Sequence, residues 1–178
     1  IGTFSLILLV GFAALQVLLP KLVADTWHRG VGSYGLLFTL QGAGMVVGSV
    51  VLAQTAPQRR RGILIYSLFT VSSSLGVLLG LSPWYWGGAA LQVGRGFCIG
   101  FGITLWDTML MQRVPQHMLS RVISMDWFGS LGLLPAGLGL WAVLSGFAPP
   151  GTLIAASMAF CTFLYLLGLA DPRIRNVD

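Results

Sequence analysis

Charge is what this chain most lacks. Only 8% of its 178 residues are Asp, Glu, Lys or Arg, against about a quarter in a typical soluble domain. No ordinary water-facing surface can be built from that supply. Histidine is reduced to two, His28 and His117. Both fall in polar breaks on opposite sides of the topology deduced below, so they cannot form one metal site. A membrane serine protease would need a serine and a histidine at one depth inside a bundle, and neither histidine lies in a long apolar run. The only acids inside such runs are Asp107 and Asp126. Both sit towards one rim rather than at mid-bilayer, which argues against an aspartyl intramembrane protease. There is no glycine–lysine phosphate loop and no paired histidine–cysteine spacing for zinc. The two cysteines, Cys98 and Cys161, fall inside apolar runs and read as small buried hydrophobes rather than a disulfide framework. Neither catalysis, a cofactor nor a resident metal is expected.

What is present is hydrocarbon. Hydrophobic residues make up 56% of the chain, with a mean hydropathy of +0.85. They are gathered into six runs, at 2–19, 35–53, 63–81, 85–111, 122–145 and 152–169. A bilayer core is crossed by about 20 apolar residues of helix, and a soluble helix would show a charged face instead. The stretch from Gly62 to Gly94 holds no charged residue. The expectation is an all-α, polytopic membrane protein. The chain enters its first run directly from Ile1 without the basic start of a secretory signal, which reads as a span whose upstream flank belongs to a longer protein. Pro20 is expected to close that first span, and the short connections to make sequential helices antiparallel neighbours.

The net charge of +5 does not point to nucleic acid, because the basic residues collect at helix ends. Arg59, Arg60, Arg61, Arg113, Arg121, Arg173 and Arg175 lie on one side, against Lys21 and Arg29 on the other. Seven against two orients the arginine-rich turns and the tail towards the cytoplasm. Trp84, Tyr85 and Trp86 cluster at the opposite end of the fourth run, where amphipathic rings favour the headgroup region. Glycine is abundant, at 24 residues. Gly44 and Gly48 form a GxxxG pair, the fourth run carries Gly94, Gly96, Gly100 and Gly102, and the fifth carries Gly129, Gly132, Pro135, Gly137 and Gly139. Small residues that let backbones approach closely are the expected packing surfaces, since no hydrophobic force drives helix against helix in lipid.

Arg95 is the costly residue. It lies about ten residues into the fourth run, where a charge costs at least ~2.5–3.5 kcal/mol unless it faces a bundle interior or a wet cavity. Helical spacing puts Gln92, Arg95, Ile99, Gly102 and Trp106 on one stripe, with Met109 close by. Such a stripe suits an anionic or hydrogen-bonding organic solute. Gln16 and Gln41, amides inside other apolar runs, are candidate polar partners for Gln92 and Arg95. Asp107 and Asp126 lie beside Arg113 and Arg121, and pairing or helix-terminal stabilisation is their expected role.

Four features carry a family resemblance: Gly32-Ser-Tyr-Gly-Leu-Leu37 leading into Gln41-Gly-Ala-Gly44 and Gly48; the Arg59-Arg-Arg-Gly62 turn; Gln112-Arg-Val-Pro115 with Arg121-Val-Ile-Ser-Met-Asp126; and Gly132-Leu-Leu-Pro-Ala-Gly-Leu-Gly139. The chain resembles the second six-helix half of a major facilitator superfamily transporter, in the branch of enterobactin exporters and macrolide-efflux proteins. That resemblance implies residues 1–178 as a C-terminal bundle of two inverted three-helix repeats, half of a twelve-helix fold. It implies proton-coupled export of a drug or siderophore across a bacterial cytoplasmic membrane, with the N-terminal half of the same protein as partner. The first and fourth spans would line the cavity, with Arg95, Gln92, Gln16, Gln41 and Trp106 facing solute. The third and sixth would lie outside. Arg59, Arg60, Arg61, Arg113, Arg121, Asp107 and Asp126 would form the cytoplasmic loops and gate. Leu52-Ala-Gln54 lacks the aspartate of the family's loop signature, so only its basic half carries over. Two alternatives stay open from residues alone: a six-helix membrane scaffold that transports nothing, and a complete six-helix transporter acting as a homodimer.

Overall fold

The computed structural model describes residues 6–55 and 61–170. They form seven helices. The first, α1, passes without a break through three segments: π-helical Leu8–Phe12, α-helical Ala13–Lys21 and π-helical Leu22–Thr26. It is followed by α2 (Val31–Thr55), α3 (Arg61–Leu81), α4 (Tyr85–Arg113), α5 (Gln116–Leu131), α6 (Leu134–Leu144) and α7 (Pro150–Ala170). Five of these, α1, α2, α3, α4 and α7, are long and apolar enough to cross a membrane. The chain is an integral membrane protein. Helices suit hydrocarbon because they satisfy their own backbone. Hydroxyls inside them fold back onto the same ladder: Ser67 donates to the Ile63 carbonyl at 2.7 Å, Thr70 to Tyr66 at 2.7 Å and Thr162 to Met158 at 2.8 Å.

Two expected boundaries are corrected. Pro20 does not close the first span, because α1 runs on to Thr26. Proline removes the N–H that would bond the Gln16 carbonyl, and the wider π-helical turns that follow absorb the defect, as membrane helices allow. The expected fifth span, 122–145, is not one helix. The ladder proceeds as far as Gly132 N–H to Phe128 O (2.8 Å) and resumes with Gly137 N–H to Leu133 O (3.1 Å). Pro135 has no N–H to offer Leu131, so it opens the 11-residue α6 instead, in a first turn where no donor is required.

Packing does not follow chain order. The largest interfaces join α2 to α4, α3 to α7 and α3 to α4, whereas sequential α2 and α3 form no extensive interface among the described residues. The reason lies in interlocked glycines. A Cβ at Gly44 or Gly48 would fall on the carbonyl of Val93 or Phe97, and one at Gly96 or Gly100 on that of Gln41 or Met45. The α2 and α4 backbones therefore touch in both directions, and a 2.9 Å hydrogen bond between Ser49 Oγ and Thr104 Oγ1 pins the seam. Gly80 and Gly151 face each other's carbonyls between α3 and α7. Gly137 packs on Leu9 and Ala13 of α1, but Gly139 meets nothing within 4 Å, Gly132 meets only its own helix, and Pro135 is exposed. Among the described residues, then, only Gly137 of these four packs against another helix.

At one end, Trp84 and Trp86 are exposed as a headgroup belt requires, but Tyr85 is buried. Its hydroxyl donates to the Ser33 carbonyl at 2.9 Å, its ring meets Trp27 edge-on, and Arg29 lies over its face. Trp27 Nε1 donates to the Ser82 carbonyl at 3.0 Å, so the α1–α2 and α3–α4 connections are fastened together.

Candidate functional site

Two apolar clusters fill the bundle. One gathers Leu18, Leu22, Leu79, Tyr85 and Ile154; the other gathers Ile65, Phe69, Phe101, Leu105 and Tyr165. Between them along α3, α4 and α7 lie the buried polar residues Ser72, Ser73, Gln92, Arg95 and Ser157. At this level α1 and α4 form no extensive interface. The gap is a cavity of ≈ 340 Å³.

Arg95 is 4% exposed and lines that cavity. At about 1.5 Å per residue it stands roughly 15 Å along α4 from Tyr85, half the thickness of a ~30 Å hydrocarbon core. Its Nε donates to the Ser72 carbonyl of α3 at 3.3 Å, and its Nη1 donates to Gln92 Oε1 at 2.7 Å, one turn back on α4. Gly76 lets Met158 close in beside this bond: a Cβ there would lie 2.8 Å from Met158 Cγ and Sδ, and 3.4 Å from Arg95 Nε, an ordinary contact. Gln92 is fully buried, and its Nε2 has no hydrogen-bond partner among the described residues. An unpaired buried donor of this kind costs about 1–3 kcal/mol, so an acceptor supplied from the cavity would recover that loss.

Gln16, Gln41, Gln92, Arg95 and Trp106 all line this one cavity, as does Ile99. Gln16 and Gln41 are not the hydrogen-bond partners of Arg95, which are Gln92 on its own helix and a backbone carbonyl of α3. Gly102 leaves the expected stripe to pack on Phe69, and Met109 is buried in the second apolar cluster. The expectation that the third and sixth spans lie wholly outside is also corrected. Because α1 and α4 stand apart, Phe69, Ser72 and Ser73 of α3 and Met158, Cys161 and Tyr165 of α7 reach the cavity between them. The hydroxyls of Ser72 and Ser73 make no hydrogen bond among the described residues, unlike Ser67, Ser74 or Thr70.

Asp107 lines the same cavity further along α4 and has an interaction partner of its own. Arg61 Nη1 donates to Gln112 Oε1 at 2.6 Å, tying α3 to α4. Arg121 is exposed on α5. Arg59 and Arg60 lie outside the described residues, as do the side chains of Arg113 and Asp126. Cys98 and Cys161 are both free and buried.

No protein-family model matches the chain, and no solved structure does. Curated relatives do. The chain is 31% identical over 116 residues to the enterobactin exporter EntS of Escherichia coli O139:H28, covering 65% of this chain and 27% of the relative. It is 32% identical over 125 residues to the protein of the same name from Citrobacter koseri, covering 68% and 30%. The EntS protein of Shigella boydii serotype 18 matches at 31% over 116 residues, again 65% and 27%. The similarity thus spans less than a third of the length of these relatives.

Proposed function

We propose that the chain is the C-terminal six-helix half of a secondary transporter of the major facilitator superfamily, exporting a small organic molecule by alternating access. One observation carries this reading. An arginine halfway along a membrane-length helix is bonded inside the protein and borders a cavity between two helices that do not close on each other. A scaffold gains nothing from such a hollow, whereas a carrier requires a polar site near the midplane. The similarity to enterobactin exporters agrees in class, and makes siderophore export the first activity to assay. Proton coupling belongs to the same reading, with the proton carrier in the N-terminal half.

Helix contacts support two inverted three-helix repeats. Exchanging α1 with α4, α2 with the broken pair α5–α6, and α3 with α7 turns the α2–α4 interface into α1–α6. It also turns α3–α4 into α1–α7 and returns α3–α7 to itself, and every one of these contacts exists. The broken pair then counts as one span, the fifth, and α7 as the sixth. The arginine-rich ends support a cytoplasmic tail by the positive-inside rule.

The test is efflux from cells expressing the full-length gene against a panel of siderophores, drugs and dyes. Arg95→Gln is expected to reduce efflux at least tenfold with membrane levels unchanged. Undiminished efflux in that variant would leave the non-transporting scaffold as the better account.

A further inference from the structure

We propose that the cavity holds its solute by an anionic oxygen seated against Arg95 and Gln92, so that the transported class is an organic acid with an apolar body. The inference rests on the transport reading only for how the solute arrives and leaves. The hydrogen-bond inventory of the site argues for it. Arg95 carries five N–H groups, and two are engaged, by the Ser72 carbonyl and Gln92 Oε1. The second bond also settles the Gln92 amide: its oxygen is the end facing the guanidinium, so the end left without a partner is the Nε2 donor. The hydroxyls of Ser72 and Ser73, on the same cavity, are likewise unbonded among the described residues.

Donors are left over beside the guanidinium, and the acceptors that the Ser72, Ser73, Gln16 and Gln41 side chains bring to the cavity are neutral. No carboxylate pairs with Arg95 among the described residues. Asp107 reaches the cavity 12 residues further along α4, about 18 Å away by helical rise, and is engaged in an interaction of its own. A cationic solute would meet the guanidinium with nothing to offset it. An acceptor bearing negative charge fits, and charge-assisted bonds to guanidinium and amide are the strong ones. Most of the remaining wall is apolar, with Leu15, Phe69, Ile99, Met158 and Tyr165, interrupted by the neutral amides Gln16 and Gln41 and, further along α4, by Asp107, which sets the character of the rest of the molecule.

The proposal is tested by calorimetric titration of the purified full-length protein in detergent with 2-naphthoate and with 2-naphthamide, which share a body and differ in the anionic oxygen. The acid is expected to bind at least tenfold more tightly. Arg95→Lys should keep part of that preference and Arg95→Gln should erase it. Gln92→Glu, which sets a carboxylate beside the guanidinium, should abolish binding of the acid. Equal affinity for both probes, no binding of either, or a preference that survives Arg95→Gln overturns the proposal. If Arg95→Gln fails to fold, the acid–amide ratio in the unaltered protein and in Gln92→Glu still decides. Repeating the titration with added phosphatidylglycerol separates a solute from a lipid phosphate: unchanged affinity supports a solute seat, and competition by the lipid overturns it. Efflux that depends on Arg95 without acid preference would sink this inference and spare the transport reading. Acid preference without any efflux would do the reverse.

Discussion

Gly76 carries more of the site than its size suggests. With no side chain there, Met158 closes onto α3 beside the Arg95 guanidinium. Gly76→Ala should push Met158 into the cavity while leaving the Ser72 contact in place, raising the KM for efflux about tenfold while the protein still inserts. Gly139→Ala, which meets nothing within 4 Å, should leave KM and expression unchanged in the same assay. Arg95 was legible in the sequence because the cost of a charge in lipid does not depend on knowing its neighbours. Gln92 followed from it by one turn of helix. The Ser72 carbonyl was not legible, since every residue carries a carbonyl and only the placement of α3 against α4 reveals which one is reachable. Gln16 and Gln41 line the same cavity as Arg95 but do not make the bonds expected of them, because spacing along a helix says nothing of distance across a gap.

At the scale of elements, the α2–α4 seam is where stability should be most sensitive. Gly48→Ala or Gly100→Ala forces a methyl into a facing backbone, and overpacking of that kind costs about 1–3 kcal/mol. Each is expected to lower the Tm of the purified protein in detergent, measured beside Gly139→Ala as the silent control. Hydropathy located four of the six spans closely, because length and apolarity alone decide membrane residence. It misjudged Pro20 and the 122–145 run for one shared reason. A missing N–H can be absorbed by a wider turn or can start a new helix, and the surroundings choose between them. Pro135→Ala restores a donor opposite Leu131 and should fuse α5 and α6, read as slower amide exchange at residues 132–136.

For the molecule as a whole, the distribution of arginine gives a topology that reporters can check. Alkaline phosphatase fused after Phe147 should be active outside the cell, and a fluorescent protein fused to the tail should fluoresce inside; the opposite pattern would invert every statement about sidedness. The two-fold exchange of helices was not readable residue by residue, because it resides in which helices touch rather than in repeated sequence. The cation at the centre also has an electrical consequence. With no carboxylate paired to Arg95 among the described residues, the guanidinium's charge is one that the anion proposed above would cancel. A membrane potential acts on a moving charge with about 2.3 kcal/mol per 100 mV, so in the carrier proposed above voltage would bear on the return of the unloaded form more than on the crossing of the loaded one.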